Sequence, residues 1–513
     1  MAGKFDVLFI SPWSEPINVL PSFLIIRQEI EACANQIART KIPIDSIEKN
    51  GKKISYPVKK YLGKFPISMG LLSIASVLEQ NGYTVNYVSL DRYKNMYRNK
   101  AGWLEKTLRV LLMNTRYAVG VTSVTPEFNR ALKVLRLARK LNPKLLRVMG
   151  GHHVTYLDKE SLENREIDVV VRGEGEITFL ELLEMFIAKR DFSTIKGITF
   201  RKKNKIIRNP DRPLCDLTKI PKPALHLLPK KEIDNYVIYS HFSRGCSSRC
   251  DYCIEGRFWK NKKRFRELSD FIGELEFLSK EYKTRFVHLV DSDFIKQNEY
   301  IDELCAELEN RNLNIFLSVS VSPDVHKHIS QDRLKRMVKV GFVEFNIGSE
   351  SVSDDVLEKI HRYQTFSGFL KSVTLLKAAK APFVFAYWII GLPGETRETI
   401  QETINEIICL FEKDLLFHGS MRFFIPYPGS KIYNEASKYG IKLITDDWER
   451  FDRFGFPPPY IHKNITPFEL QNYMMLFQSI QLSYFLKRLN ISEEHALALH
   501  RKVNGMYSKA IYM

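Results

Sequence analysis

The chain has 513 residues, 44% of them hydrophobic, which exceeds what one hydrophobic core organises and leaves room for two or three folded units. Its seven cysteines fall as a group of three plus four scattered at Cys33, Cys215, Cys305 and Cys409, a pattern that excludes a secreted disulfide framework and points to the reducing cytoplasm. The net charge of +18 is spread along the chain, as at 52–64, 201–205 and 260–266, without interleaved aromatics, so nucleic acid is a minority expectation while an anionic substrate or peripheral membrane contact stays open.

The sequence runs into a predicted strand at 5–10 with no apolar signal core, and no stretch is apolar for long enough to span a bilayer, so a soluble protein is expected. Predicted strands at 84–90, 117–122, 145–149 and 168–171 then alternate with predicted helices at 70–80, 127–141 and 177–188. This alternation predicts a parallel α/β sheet covered on both faces, whose ligands sit beyond the carboxyl ends of the strands. The loops at those ends carry hydroxyls and glycines: Thr122, Ser123 and Thr125; Gly150 and Gly151 followed by His152, His153 and Thr155; and Gly173 followed by Glu174, Gly175 and Glu176. Glycines let a backbone approach a bulky ligand, and hydroxyls bind its amides and phosphate.

Those loops resemble the cobalamin-binding domain that precedes the radical domain in one branch of radical S-adenosylmethionine (SAM) proteins. Relatives read Gly-Gly-Pro-His-x-Thr and Gly-Glu-Gly-Glu at the matching places, and His152 here replaces the proline. The resemblance implies a Rossmann-like fold over 1–190, with Thr122, Ser123, Thr125, Gly150, Gly151, His153, Gly173 and Glu174 around cobalamin. The chain lacks Asp-x-His-x-x-Gly, which implies that no protein histidine lies beneath the cobalt.

A connecting segment follows at 191–235, with a predicted hairpin at 197–208 and a proline-rich linker. From 237 a strand at 237–243 leads into Ser-Arg-Gly-Cys-Ser-Ser-Arg-Cys-Asp-Tyr-Cys. Cys246, Cys250 and Cys253 on one loop can hold three irons of a 4Fe-4S cluster and leave the fourth open. Structural zinc would prefer four closed ligands, and no second cysteine pair lies nearby. Buried structural thiols are the blander alternative. Strands predicted at 286–290, 315–321, 342–347, 383–390 and 421–424, with helices between them, complete six strand-helix units over 236–440, and barrel chemistry gathers at strand carboxyl ends.

The three-cysteine loop, with Tyr252 before its last cysteine, resembles the radical SAM enzymes, which use a (β/α)6 partial barrel. The resemblance implies that SAM chelates the open iron and is cleaved to a 5'-deoxyadenosyl radical. By the same resemblance Tyr252, Asp291, Asp293, Glu350, Ile390, Gly391 and Leu392 contact SAM. A third-strand arginine for the SAM carboxylate is replaced here by Phe316 to Ser320, with Arg244 or a later residue as the substitute. The basic stretch at 260–266 reads as a solvated flank, and the segment at 441–513 reads as mainly helical, strongest at 468–488.

Together these features lead to the expectation of a cobalamin-dependent radical SAM methyltransferase acting on an unactivated carbon, through methylcobalamin. It would take a small-molecule, lipid or peptide substrate and electrons from a flavodoxin or ferredoxin. A cyclase, ring-rearranging or carbon-carbon coupling enzyme built on the same two domains is the alternative, and an iron-sulfur nucleic-acid-binding protein is the second.

Overall fold

The computed structural model describes residues 5–13, 46–49, 52–55, 65–97, 100–230, 236–282, 286–296 and 298–488; Cys33, Lys59, Lys60, Lys64 and the end of the carboxyl-terminal segment lie outside these.

The first sheet contains β1 (Phe5–Ser11), β2 (Val85–Ser89), β3 (Thr115–Thr122), β4 (Leu146–Gly150) and β5 (Val169–Val171). Its order is β5-β4-β3-β1-β2, all parallel. Alternate residues of β1 serve two cores. Val7 and Phe9 pack with Leu72 and Leu78 of α1 (Met69–Gln80) and Leu182 of α4 (Glu176–Ile187). Leu8 and Ile10 pack with Leu108 of α2 (Trp103–Met113) and Leu135 of α3 (Phe128–Leu141). A strand buried on both faces needs a continuous apolar run, which is what Val-Leu-Phe-Ile supplies. The strand order reverses between β1 and β3, and such a switch point opens a crevice beyond the strand ends. The hairpin β6 (Ile198–Lys202) and β7 (Lys205–Arg208) joins this sheet as an antiparallel edge on β5 instead of standing apart as a connector.

The second sheet runs β8 (Tyr239–Ser240), β9 (Phe286–Leu289), β10 (Phe316–Val321), β11 (Phe342–Glu350), β12 (Phe383–Ile390) and β13 (His418–Phe423), in that order and all parallel. Helices α5 (Leu268–Glu281), α6 (Ile301–Arg311), α7 (Gln331–Val340), α8 (Phe366–Ala378) and α9 (Arg397–Glu412) connect them, which makes an open partial barrel. Local chemistry sets the boundaries: Ser330 caps α7 by accepting from the Arg333 amide, and Gly341 ends it in the left-handed region. The predicted strand at 237–243 is broken, because Asp291 captures the Phe242 amide at 3.1 Å and the Ser243 amide at 2.5 Å and pulls the chain out of the sheet. The segment expected to be mainly helical also holds a short strand pair. Ile441–Leu443 (β14) pairs antiparallel with Tyr460–His462 (β15) before α10 (Pro467–Arg488) packs against β13 and α9. Among the described residues no helix is long and apolar enough to cross a membrane.

Candidate active site

The cysteine loop leaves β8 through Gly245, whose φ is +109°; a Cβ there would lie 1.9 Å from the Lys262 carbonyl oxygen. Only glycine lets the loop fold back on the 260–266 segment. Cys246, Cys250 and Cys253 all line one cavity of about 770 Å³ at the carboxyl ends of the barrel strands. Burial raises the Cys250 and Cys253 thiol pKa values, and the neighbouring cysteines add to the rise, so a bound cation would favour the thiolate form of these two. A sulfur donor set from one loop fits three irons of a 4Fe-4S cluster. Cys215, Cys305 and Cys409 line neither this cavity nor the one described below.

Beside the sulfurs, three groups interlock. The Tyr252 hydroxyl donates to Glu350 Oε1 at 3.0 Å and accepts from Arg362 Nη1 at 2.9 Å. Arg362 Nη2 lies 3.3 Å from Glu350 and donates to the Gly348 carbonyl at 2.8 Å, while Nη1 reaches Cys250 Sγ at 3.8 Å. Burial pulls the Arg362 pKa down, but Tyr252, Glu350 and Cys250 outweigh it and the net shift is upward. Arg362 is therefore a fixed cation beside the cysteine loop, a residue the sequence reading left unnamed. Arg244 is not the free arginine expected: it ion-pairs with Glu176 at 2.7 Å and Glu174 at 3.1 Å and donates to Ser73.

Other expected SAM contacts divide. Asp293 lines the cavity, and Asp291 does too, but the Asp291 carboxylate is filled by the amides and hydroxyl of 242–243 and so holds the cysteine loop in place. Ile390, Gly391 and Leu392 require correction. The Gly391 and Leu392 amides donate to Glu395 at 2.6 and 3.0 Å, and the carbonyls of the same residues accept from Tyr460 and His462, so this turn is spent on itself and buried. Ile389, one residue earlier, faces the cavity instead.

A second cavity of about 490 Å³ opens at the switch point of the first sheet, lined by Ser11, Thr122, Gly150, Gly151, Gly173 and Glu174 and, across it, by Phe258 and Trp259 of the cysteine-loop region. Gly151 has φ +109°, and a Cβ there would stand 2.5 Å from the Ser123 carbonyl oxygen, so the loop packs as a glycine-only cradle. His153 does not line this cavity; it is buried between Phe128 and Trp448. His152, in the place of the usual proline, lines the wall and stacks on Phe258 with ring centroids 4.3 Å apart. Ser123 and Thr125 are buried behind the lining. Glu174 lines the edge, yet its carboxylate takes both guanidinium nitrogens of Arg264, at 2.9 and 3.0 Å, and the Cys215 amide at 2.8 Å. Glu174, Glu176 and Cys215 bring one ligand atom each within 4.8 Å of one another, but Arg244 and Arg264 already neutralise the carboxylates.

The radical SAM superfamily matches residues 240–407 and the B12 binding domain matches residues 59–183. The chain is a radical SAM protein with a B12-binding domain. A methyltransferase of Pyrococcus horikoshii whose role is uncharacterised is 28% identical over 76% of this chain and 83% of its own. The anaerobic magnesium-protoporphyrin IX monomethyl ester cyclase of Rubrivivax gelatinosus is 26% identical over 74% of this chain and 67% of its own. In fold, the radical SAM methyltransferase TsrM from Kitasatospora setae, with cobalamin and a 4Fe-4S cluster bound, matches at TM-score 0.63 and 18% identity over 91% of this chain and 84% of that one. The cobalamin-dependent SAM radical enzyme OxsB matches at TM-score 0.66 and 14% identity over 92% of this chain and 66% of that one. The radical SAM protein is thus an enzyme whose cofactors are a 4Fe-4S cluster, SAM and cobalamin.

The inner wall of this radical SAM barrel holds groups that the sequence reading passed over. Ser318 donates to Glu344 at 2.6 Å, Asn346 donates to Glu344 at 2.9 Å, and Tyr387 donates to Asn346 at 2.6 Å. Burial pushes the Glu344 pKa up to about 8. Their signal was available: polar residues recur at every second position in strands whose other positions are apolar, as in Ser318 and Ser320, or Glu344 and Asn346. The basic stretch at 260–266 is only in part the solvated flank expected, with Lys260 and Lys262 exposed and the other three engaged. Lys263 donates to the Asp293 and Lys296 carbonyls, Arg264 pairs with Glu174, and Arg266 is buried against Glu274 at 2.7 Å.

Proposed function

We propose that this enzyme C-methylates an unactivated carbon of a small-molecule substrate, by a route that begins with a 5'-deoxyadenosyl radical. The observation that carries this reading is the shared wall between the two cavities: Glu255, Val290 and Ser292 line both. When bound, the cluster supplies the electron that cleaves SAM, and cobalamin carries the methyl group that an unactivated carbon cannot take directly from a sulfonium.

In this reading Cys246, Cys250 and Cys253 hold the cluster. Glu350 and Tyr252 orient the SAM ammonium or ribose, and Arg362 takes the SAM carboxylate in place of the missing third-strand arginine. Thr122, Gly150, Gly151 and Gly173 cradle cobalamin, with Ser123 and Thr125 supporting the loops from behind. The substrate would sit against the polar inner wall formed by Ser318, Glu344, Asn346 and Tyr387, and electrons would come from a flavodoxin or ferredoxin. The cyclase relatives support a second reading, in which the same two domains serve another radical outcome.

The test is product mass spectrometry on anaerobically reconstituted enzyme given cell extract and SAM carrying a deuterated methyl group. Methylation predicts a product heavier by the labelled methyl, formed with 5'-deoxyadenosine. A product formed with 5'-deoxyadenosine but without label would favour the second reading.

A further inference from the structure

The far side of the barrel cavity carries two arginines, Arg422, which is half-buried, and Arg453, which is exposed. Arg422 comes from the inner face of β13, and Arg453 comes from the chain that runs beside it, where its carbonyl accepts from the Phe423 amide at 3.1 Å. Both line the 770 Å³ cavity, and among the described residues no carboxylate lies within ion-pair distance of either. The Arg422 Nε is fully buried and without a hydrogen-bond partner. Its guanidinium lies 5.0 Å from the Tyr387 ring centroid and 5.5 Å from that of Phe454, which fixes its plane.

Nearby acids are occupied elsewhere. Glu350 is held by Tyr252 and Arg362, and Asp452 turns back to accept from the Phe454 amide at 2.8 Å. Burial raises the Glu344 pKa to about 8, which favours its neutral form near pH 7. The electrostatics agree with this geometry: burial and the Arg453 charge hold the Arg422 pKa down to about 10. A half-buried guanidinium whose Nε is sealed from water gains from a ligand that supplies the missing anionic partner. A planar fork of N–H donors matches the oxygens of a carboxylate or a phosphoryl group.

We infer that the substrate carries an oxyanion, a carboxylate or phosphoryl group, that docks on Arg422 and Arg453 at the far side of the barrel. This rests on the radical SAM reading of the barrel given above. The docked anion would leave the opposite end of the substrate toward the cysteine loop, so the arginine pair would select substrates by both charge and length.

The experiment is calorimetric titration of the anaerobically reconstituted full chain, saturated with SAM, using phenyl phosphate, benzoate and the neutral benzyl alcohol. The wild type should bind one of the two anions at least tenfold more tightly than benzyl alcohol; a winning phenyl phosphate marks a phosphoryl substrate and a winning benzoate marks a carboxylate. R422M and R453M should each lose most of that preference, R422K should keep part of it, and cluster absorbance should persist in all three as proof of folding. Equal binding of the three probes to wild type would overturn the inference. So would a tenfold loss of SAM affinity in R422M, which would assign Arg422 to the SAM carboxylate. A wild type that binds no cluster or cleaves no SAM would instead sink the enzymatic reading, whatever the probes do.

Discussion

Glu350 ends β11 with φ at +64°, a conformation that costs a residue with a side chain about 1 to 2 kcal/mol, and it does so with its carboxylate held between Tyr252 and Arg362. Strain kept at the mouth of a cavity, with the carboxylate fixed by one hydrogen bond and one ion pair, is what a positioned ligand contact would require. E350Q removes the charge and keeps the shape, and losing one charge-assisted contact costs about 2 kcal/mol. The variant should retain cluster absorbance but lose most 5'-deoxyadenosine formation, with excess SAM restoring part of it; wild-type rate and SAM affinity would take Glu350 out of the site. Glu344 makes a different prediction. Its proton is held more tightly in the folded chain than in the unfolded one, so folding takes up a proton between the ordinary glutamate range and about pH 8, and stability falls as pH rises through that window. Thermal unfolding of wild type and E344Q between about pH 5 and about pH 8 should therefore diverge, wild type losing up to about 1.4 kcal/mol per pH unit relative to the variant. Parallel curves would mean that Glu344 is ionised in the fold. The alternation of Glu344 and Asn346 marks one face of β11 in the sequence, but the partner on the next strand appears only when the register of β10 and β11 sets Glu344 beside Ser318.

Among elements, the long parallel strands were legible because burial on both faces demands uninterrupted apolar runs, and these stand out in any window. What escaped depends on contacts between distant segments. The strand expected at 237–243 has the right composition, yet Asp291 removes two of its amides from the sheet. The pair β14 and β15 has only three residues on each side, too few to carry a period. The turn at 390–392 has the glycine of an adenine-supporting loop, but Glu395 consumes its amides. Most consequential is the joint between the two sheets. Glu174, expected at cobalamin, meets Arg264 through both oxygens and also pairs with Arg244, tying the loop after β5 to the strand and turn that flank the cysteine loop. Burial alone would raise the Glu174 pKa, but Arg264, Arg244 and the Cys215 amide hold it below the usual glutamate range. E174Q would leave Arg264 without its carboxylate in a mostly buried setting, while Arg244 keeps Glu176, at a cost of about 3 to 5 kcal/mol. The expected result is a lower unfolding temperature and faster amide hydrogen exchange at 172–176 and 243–246; unchanged exchange at both segments would show that packing, not this pair, joins the units.

For the molecule as a whole, the decisive feature is that one cavity at the switch point of the first sheet and one at the barrel's strand ends share Glu255, Val290 and Ser292. An arrangement of this kind brings a group carried by the first domain to the site where SAM is held by the second. The +18 charge contributes locally: Arg244, Arg264 and Arg266 are spent in ion pairs with Glu174, Glu176 and Glu274, while Arg422 and Arg453 keep their charge for the cavity. The family's two domains were legible from the three-cysteine loop and the glycine loops. The individual contacts were not, since His152 and His153 or Ile389 and Ile390 are interchangeable until the backbone decides which of each pair faces inward. The central claim, that Cys246, Cys250 and Cys253 hold the cluster next to an independently formed cobalamin cradle, is tested by metal and cofactor analysis of the anaerobically reconstituted triple variant with all three changed to alanine. The account predicts loss of the brown absorbance, of bound iron and of SAM cleavage, with cobalamin uptake retained; wild-type iron content in that variant would contradict it.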